Sequence, residues 1–132
     1  MRVSTSIAAM AAALLAASFT ASAMVVEEET FNYRTTKDLY TICAVDDDAK
    51  KADVPAFACR AFIAATVQYH DAVSDRKKMK RLICYPNTAT IADGRAAFLD
   101  WAGRNADNAE RMNERPVVGL VRALAETYPC KK

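Results

Sequence analysis

Four cysteines, Cys43, Cys59, Cys84 and Cys130, follow an N-terminal segment built like a secretory leader, and this pairing constrains the chain more than any other feature. The leader has Arg2 near its start, an Ala/Leu-rich apolar run from about Ile7 to Phe19, and Ala21-Ser22-Ala23 where a signal peptidase needs small residues. That run is shorter than the ~20 residues a bilayer-spanning helix requires. Residues 1–23 therefore read as a cleaved signal peptide, with Met24 as the first mature residue. Export leads to an oxidising compartment, where four cysteines without a Cys-x-x-Cys spacing favour two structural disulfides over metal binding or thiol redox chemistry.

The 109 mature residues suffice for one small domain with a modest core, to which covalent staples would matter. Once Arg2 leaves, 17 of the 18 Lys and Arg residues remain against 16 Asp and Glu. So balanced a charge gives no footing for nucleic acid and no field of one sign. No later segment is apolar for long enough to span a membrane.

Periodicity predicts an all-α fold, a small bundle of four main helices, with no strand-like alternation. Glu27-Glu28-Glu29 through Tyr33 reads as a mobile acidic arm, within residues 24–34, ahead of a domain at 35–132. The first helix starts at Thr35 or Thr36, either of which can cap it. It carries Leu39, Ile42 and Cys43 on one face and should end near Asp46-Asp47-Asp48, where carboxylates oppose the helix dipole. The second starts at Asp53 with Pro55 in its first turn, places Cys59, Phe62, Ile63, Thr66, Val67 and His70 on one stripe, and runs to about Val73. The basic run Arg76–Arg81 then complements its negative end. Pro86-Asn87-Thr88 opens the third helix, with Ile91, Gly94 or Arg95, Phe98, Leu99 and Ala102 inward and Gly103 as its stop. Polar residues 104–115 read as a long loop with at most a helical turn. Pro116 starts the fourth helix, which faces inward through Val117, Leu120, Val121, Leu124 and Tyr128 and stops at Pro129.

This helix order selects among the three possible cysteine pairings. In an up-down-up-down bundle, Cys43 and Cys59 share one pole, while Cys84 and Cys130 share the other. The other pairings would cross a helix length of ~20–30 Å, whereas a disulfide holds its Cα atoms within about 7 Å. The expected bonds are Cys43–Cys59 and Cys84–Cys130.

Little in the chain points to catalysis. The single histidine, His70, is followed by Asp71; a core histidine is the favoured reading over an acid/base pair, since no second ligand has metal-like spacing. Asp46-Asp47-Asp48 lacks the glycine and glutamate of a calcium loop, whose places are taken by Lys51 and Phe57. Phosphate-cradling and nucleophile-elbow motifs are missing from the sequence. Trp101 reads as a core residue, with a partner hot spot as the alternative. The chain thus reads as a binder without cofactor or metal, not as an enzyme.

The cysteine framework and its surroundings resemble the Tai/Rap-type immunity proteins of bacterial type VI secretion systems. The residues that carry this are Lys37-Asp38-Leu39-Tyr40-Thr41-Ile42-Cys43, then Cys59-Arg60-Ala61-Phe62-Ile63-Ala64-Ala65 with Asp71-Ala72, then Cys84-Tyr85-Pro86, Phe98-Leu99, and Val121 through Tyr128-Pro129-Cys130. Two departures stand out: Ala61 and Ala65 replace customary glycines, and the 104–115 loop is longer and more polar than the family's proline-marked turn. The resemblance implies a periplasmic helical protein that binds and inhibits a peptidoglycan-cleaving effector, typically an amidase, in a family whose members often form homodimers.

Loops on a rigid scaffold usually carry recognition. The candidate partner contacts are accordingly Arg76, Lys77 and Lys78 after the second helix, and Arg104, Asn105, Asp107, Asn108 and Arg111 in the loop. The alternative of another class is a periplasmic holdase chaperone like the small acid-stress proteins, and the least favoured is a hydrolase using His70 with Asp71.

Overall fold

The structure, a computed structural model, describes residues 27–45, 53–77 and 79–131, apart from the side chains of Asp53 and Lys77. These residues form a 3-10 helix, Glu28–Asn32, and five α-helices with no strand among them: α1 (Thr36–Cys43), α2 (Asp53–Lys77), α3 (Ile91–Arg104), α4 (Ala109–Met112) and α5 (Pro116–Thr127). The four main helices expected are α1, α2, α3 and α5. The fifth, α4, is a single turn inside the expected loop.

Thr35 and Thr36, interchangeable in sequence, take separate roles at the start of α1. Thr35 is the cap: its hydroxyl accepts the Asp38 N–H at 3.2 Å, and the Asp38 carboxylate accepts the Thr35 N–H at 2.9 Å. This reciprocal box satisfies two donors that a helix start leaves without partners. Thr36 is buried and reaches across the fold; its N–H and its hydroxyl both donate to the Glu114 carbonyl, at 2.8 and 3.1 Å. Gly119 of α5 lies directly against it. A Cβ there would stand 2.3 Å from Thr36 Cγ2, so only glycine permits this approach.

α1 ends at Cys43, earlier than the expected Asp46-Asp47-Asp48. The reason is tertiary: Arg95 on α3 donates to the Cys43 and Val45 carbonyls at 3.0 and 2.9 Å, satisfying acceptors at the helix end. Residues 46–52, and with them the aspartate triplet and Lys51, lie outside the described residues. α2 continues one turn past Val73 to Lys77, with Ser74 buried and Asp75 held by Arg81 at 2.9 Å. The start of α3 also moves. Pro86–Ala89 is a turn closed by the Ala89 N–H on the Pro86 carbonyl, and the helix begins at Ile91, because Thr90 and Asp93 form a second capping box. Gly103 lies within α3, whose end is capped by Asn105, and α5 closes at Thr127 with Tyr128 as its cap.

The acidic segment expected to be mobile is the 3-10 helix, packed on α1. It turns into α1 through Tyr33, which adopts a left-handed backbone (φ 48°), unusual for a non-glycine residue. Its ring stacks on Phe62 with centroids 4.9 Å apart, which holds the turn in place.

α1, although short, is central: it packs against α2, α3 and α5, and α3 packs in turn on α2 and α5. Leu39, Ile42, Ile63, Phe98, Trp101 and Leu120 fill the space between them. Trp101 is 2% exposed, so it serves the core and not a partner. Cys43 and Cys59 are bonded within this core, their Cα atoms 5.1 Å apart. Cys84 and Cys130 are bonded at the surface, with a Cα separation of 4.9 Å. α2 and α5 meet only marginally, which leaves a groove between them.

Candidate functional site

The segment 104–115 is held in shape by its own polar side chains. Asn105 caps α3, and its amide donates to the Trp101 carbonyl at 2.7 Å while its side-chain oxygen accepts from Arg111 at 2.7 Å. Asn108 caps α4 by accepting the Arg111 N–H at 3.1 Å. Arg104 bridges Asp100 and Glu126, at 3.0 and 2.8 Å, and the Glu126 bond, more than the Asp100 one, raises its pKa. Below them, Met112 is buried beside α1, next to a shallow cavity of 260 Å³ that also touches Tyr40 and Ala106. Four of the five expected loop contacts, Arg104, Asn105, Asn108 and Arg111, thus shape the loop. Asp107 is exposed at its tip.

The second expected surface divides. Arg76 is exposed at the end of α2, while the Lys77 side chain and Lys78 lie outside the described residues. Arg81 turns back onto α2, where it binds Asp71 and Asp75. Asp71 is the hub of a polar cluster: one carboxylate oxygen takes Arg81 and His70 Nδ1, the latter at 3.1 Å, and the other accepts the Tyr85 hydroxyl. Burial pushes the Asp71 carboxyl up, but the bonds from Tyr85 and His70 and the Arg81 charge outweigh it and hold it below the usual carboxylate range. Tyr85, by burial first and then by its bond to Asp71, is pushed up to about 12.

His70 Nε2 faces the main chain of the connector between α2 and α3. It accepts the N–H groups of Leu82 and Ile83, at 3.2 and 3.3 Å. An imidazole nitrogen that accepts must be unprotonated, so the tautomer that fits this geometry carries its proton on Nδ1, pointed at Asp71. With both nitrogens engaged by the protein, the geometry opposes the hydrolase reading of His70 with Asp71.

Between the two expected surfaces lies the groove of α2 and α5, a space of 230 Å³. Its walls include Tyr69 and Val73 of α2, Met79 and Leu82 of the connector, and Val117 and Val121 of α5. Tyr69, Met79 and Leu82 are each more than half exposed, and Val117, expected inward, is 42% exposed. Sequence reasoning did not single out this groove. Its signal was present: Tyr69 falls off the inward stripe of α2, and Met79 and Leu82 interrupt a basic run.

Comparison with known proteins bears on what this scaffold does. A family model described as Rap1a immunity proteins matches residues 35–130, a span that begins at the cap of α1 and ends at the last cysteine. No curated protein and no solved structure matches the chain.

Proposed function

The chain belongs to the Rap1a immunity protein family, and from that premise we propose that it protects a bacterial periplasm by binding and inhibiting a peptidoglycan-cleaving amidase delivered by a type VI secretion system. Membership itself implies effector immunity through binding of a cognate effector. The single observation that carries the reading is the family match across the whole helical domain, both cysteine pairs included. Two disulfides agree with export, and the N-terminal leader supplies the route. In this reading the mature protein works outside the cytosol, by occlusion and not by catalysis.

A preorganised loop loses little entropy on binding, and 104–115 is tied down by Asn105, Asn108 and Arg111. We assign the effector contact to the exposed tip of this loop around Asp107 and to the cations that begin at Arg76. Homodimerisation completes the proposal. The test is a titration of the purified mature chain against a peptidoglycan amidase delivered by a type VI secretion system, with light scattering for oligomeric state. Hydrolysis of peptidoglycan should fall to background at equimolar inhibitor. Undiminished hydrolysis at excess inhibitor would overturn the assignment of an amidase target.

A further inference from the structure

The lone histidine ties the connector between α2 and α3 to α2. His70, with its side chain 9% exposed, accepts two adjacent backbone N–H groups, those of Leu82 and Ile83, through one nitrogen. Ile83 is fully buried, so its N–H has no ready substitute in water. Protonation of Nε2 would turn an acceptor into a donor facing two donors, and both bonds would be lost.

Charges of both signs lie around the ring, and none of them restores an acceptor for the Leu82 and Ile83 N–H groups. On α2, Asp71 faces Nδ1 and Asp75 lies one turn further along; on the connector, Lys80, Arg81 and Tyr85 surround them; the α5 residues in the groove, Val117 and Val121, carry no charge. The Asp71 oxygen that His70 addresses already holds Arg81, and its other oxygen holds Tyr85. A charged imidazolium would keep its Nδ1–H on Asp71, while its Nε2, now carrying a proton, would face the Leu82 and Ile83 donors with no lone pair to offer.

We propose that His70 is an acid-sensitive latch: neutral, it holds the main chain of Leu82 and Ile83 against α2, and on protonation it frees those two N–H groups and loosens the groove wall at Leu82, while Arg81 stays on Asp71 and Asp75. The device rests on hydrogen-bond geometry within this chain, independent of any effector, so it stands or falls separately from the immunity reading. Its effect is to make the groove side of the molecule respond to the pH of the medium, while the disulfide-stapled core stays closed.

Two measurements on the full mature chain test it. Nitrogen chemical shifts of His70 should show the Nδ1–H tautomer at neutral pH; the Nε2–H tautomer would refute the latch. Amide exchange, corrected for intrinsic pH dependence, should show protection of Leu82 and Ile83 falling ~10-fold or more as His70 protonates, the scale of one lost hydrogen bond. Ile63 and Leu120 should keep their protection over the same range. Unchanged protection at Leu82 and Ile83, or simultaneous loss at Ile63 and Leu120, would overturn the proposal. His70→Gln, which offers an uncharged acceptor at the same reach, should keep protection of Leu82 and Ile83 independent of pH; if it instead loses protection with the wild-type profile, the histidine is not the cause.

Discussion

Replacing Gly119 by alanine introduces one methyl group where α5 lies directly against Thr36 of α1. On an otherwise unremarkable helix position the change would stabilise by up to ~1 kcal/mol, because alanine is the better helix former. Here the new Cβ would stand 2.3 Å from Thr36 Cγ2 and 2.5 Å from Thr36 Oγ1. Thr36 has nowhere to retreat: it is buried, and its hydroxyl is bonded to the Glu114 carbonyl at 3.1 Å. Either α5 withdraws from α1 or Thr36 leaves its rotamer and that bond. Overpacking of this kind costs ~1–3 kcal/mol, and the lost hydrogen bond adds ~1 kcal/mol. After the propensity gain, Gly119→Ala should destabilise by about 2 kcal/mol, which lowers the melting temperature of a domain this size by roughly 8–16 °C. Thr36→Ala alone should cost about 1–2 kcal/mol through the hydroxyl. In the double variant the two losses should be less than additive by about 1 kcal/mol, because the methyl and hydroxyl that collide are gone, although Thr36 Cβ itself remains at 3.0 Å. Thermal and denaturant unfolding of the four proteins closes the cycle. A Gly119→Ala variant that melts at or above the wild-type temperature would refute this account of the α1–α5 contact.

The two disulfides should separate by accessibility: mild reduction with alkylation and mass spectrometry should open Cys84–Cys130, whose Cys84 is exposed, well before the buried Cys43–Cys59. By chain entropy alone their separations of 16 and 46 residues correspond to about 3 kcal/mol for the inner bond and about 4 kcal/mol for the outer. Replacing Cys43 and Cys59 by alanine should exceed its share because it also leaves a core cavity. The Asp71 and Tyr85 pair should shape both ends of the pH–stability curve. Asp71, held below the usual carboxylate range, contributes above ~pH 4 and loses that contribution as pH falls through its folded value; Asp71→Asn should flatten the acid limb. Tyr85 contributes below ~pH 10 and loses it as pH rises to about 12, so Tyr85→Phe should flatten the alkaline limb followed by tyrosinate absorbance. Asn108→Ala removes the cap of α4 and should cost ~1 kcal/mol, with faster exchange of the Arg111 amide and little effect on α1–α3.

Local chemistry made much of this architecture readable. Helix faces repeat at short intervals, so Leu39, Ile42, Ile63, Phe98, Leu120 and Leu124 could be placed inward from spacing alone, and all are core residues. Proline at the first position of α5 and threonine before α1 announce their helices through single-residue stereochemistry. The candidate site was harder to read. Arg104, Asn105, Asn108 and Arg111 looked like an open recognition surface because exposed polar residues and residues bonded to each other have the same composition. Their partners Glu126 and Trp101 lie elsewhere in the chain or one turn back.

The division follows from the range of the forces involved. Capping, periodicity and antiparallel helix order act over a few residues or one helix length, and they determined the all-α class, four main helices and the expected cysteine pairs. Contacts between segments distant in sequence decided the rest: where α1 stops, through Arg95 from 50 residues away, why Gly119 must be glycine, through Thr36, and which proton His70 carries, through the main chain of Leu82 and Ile83. A hydrogen bond or steric contact is made in space, so only the folded chain brings its two halves together.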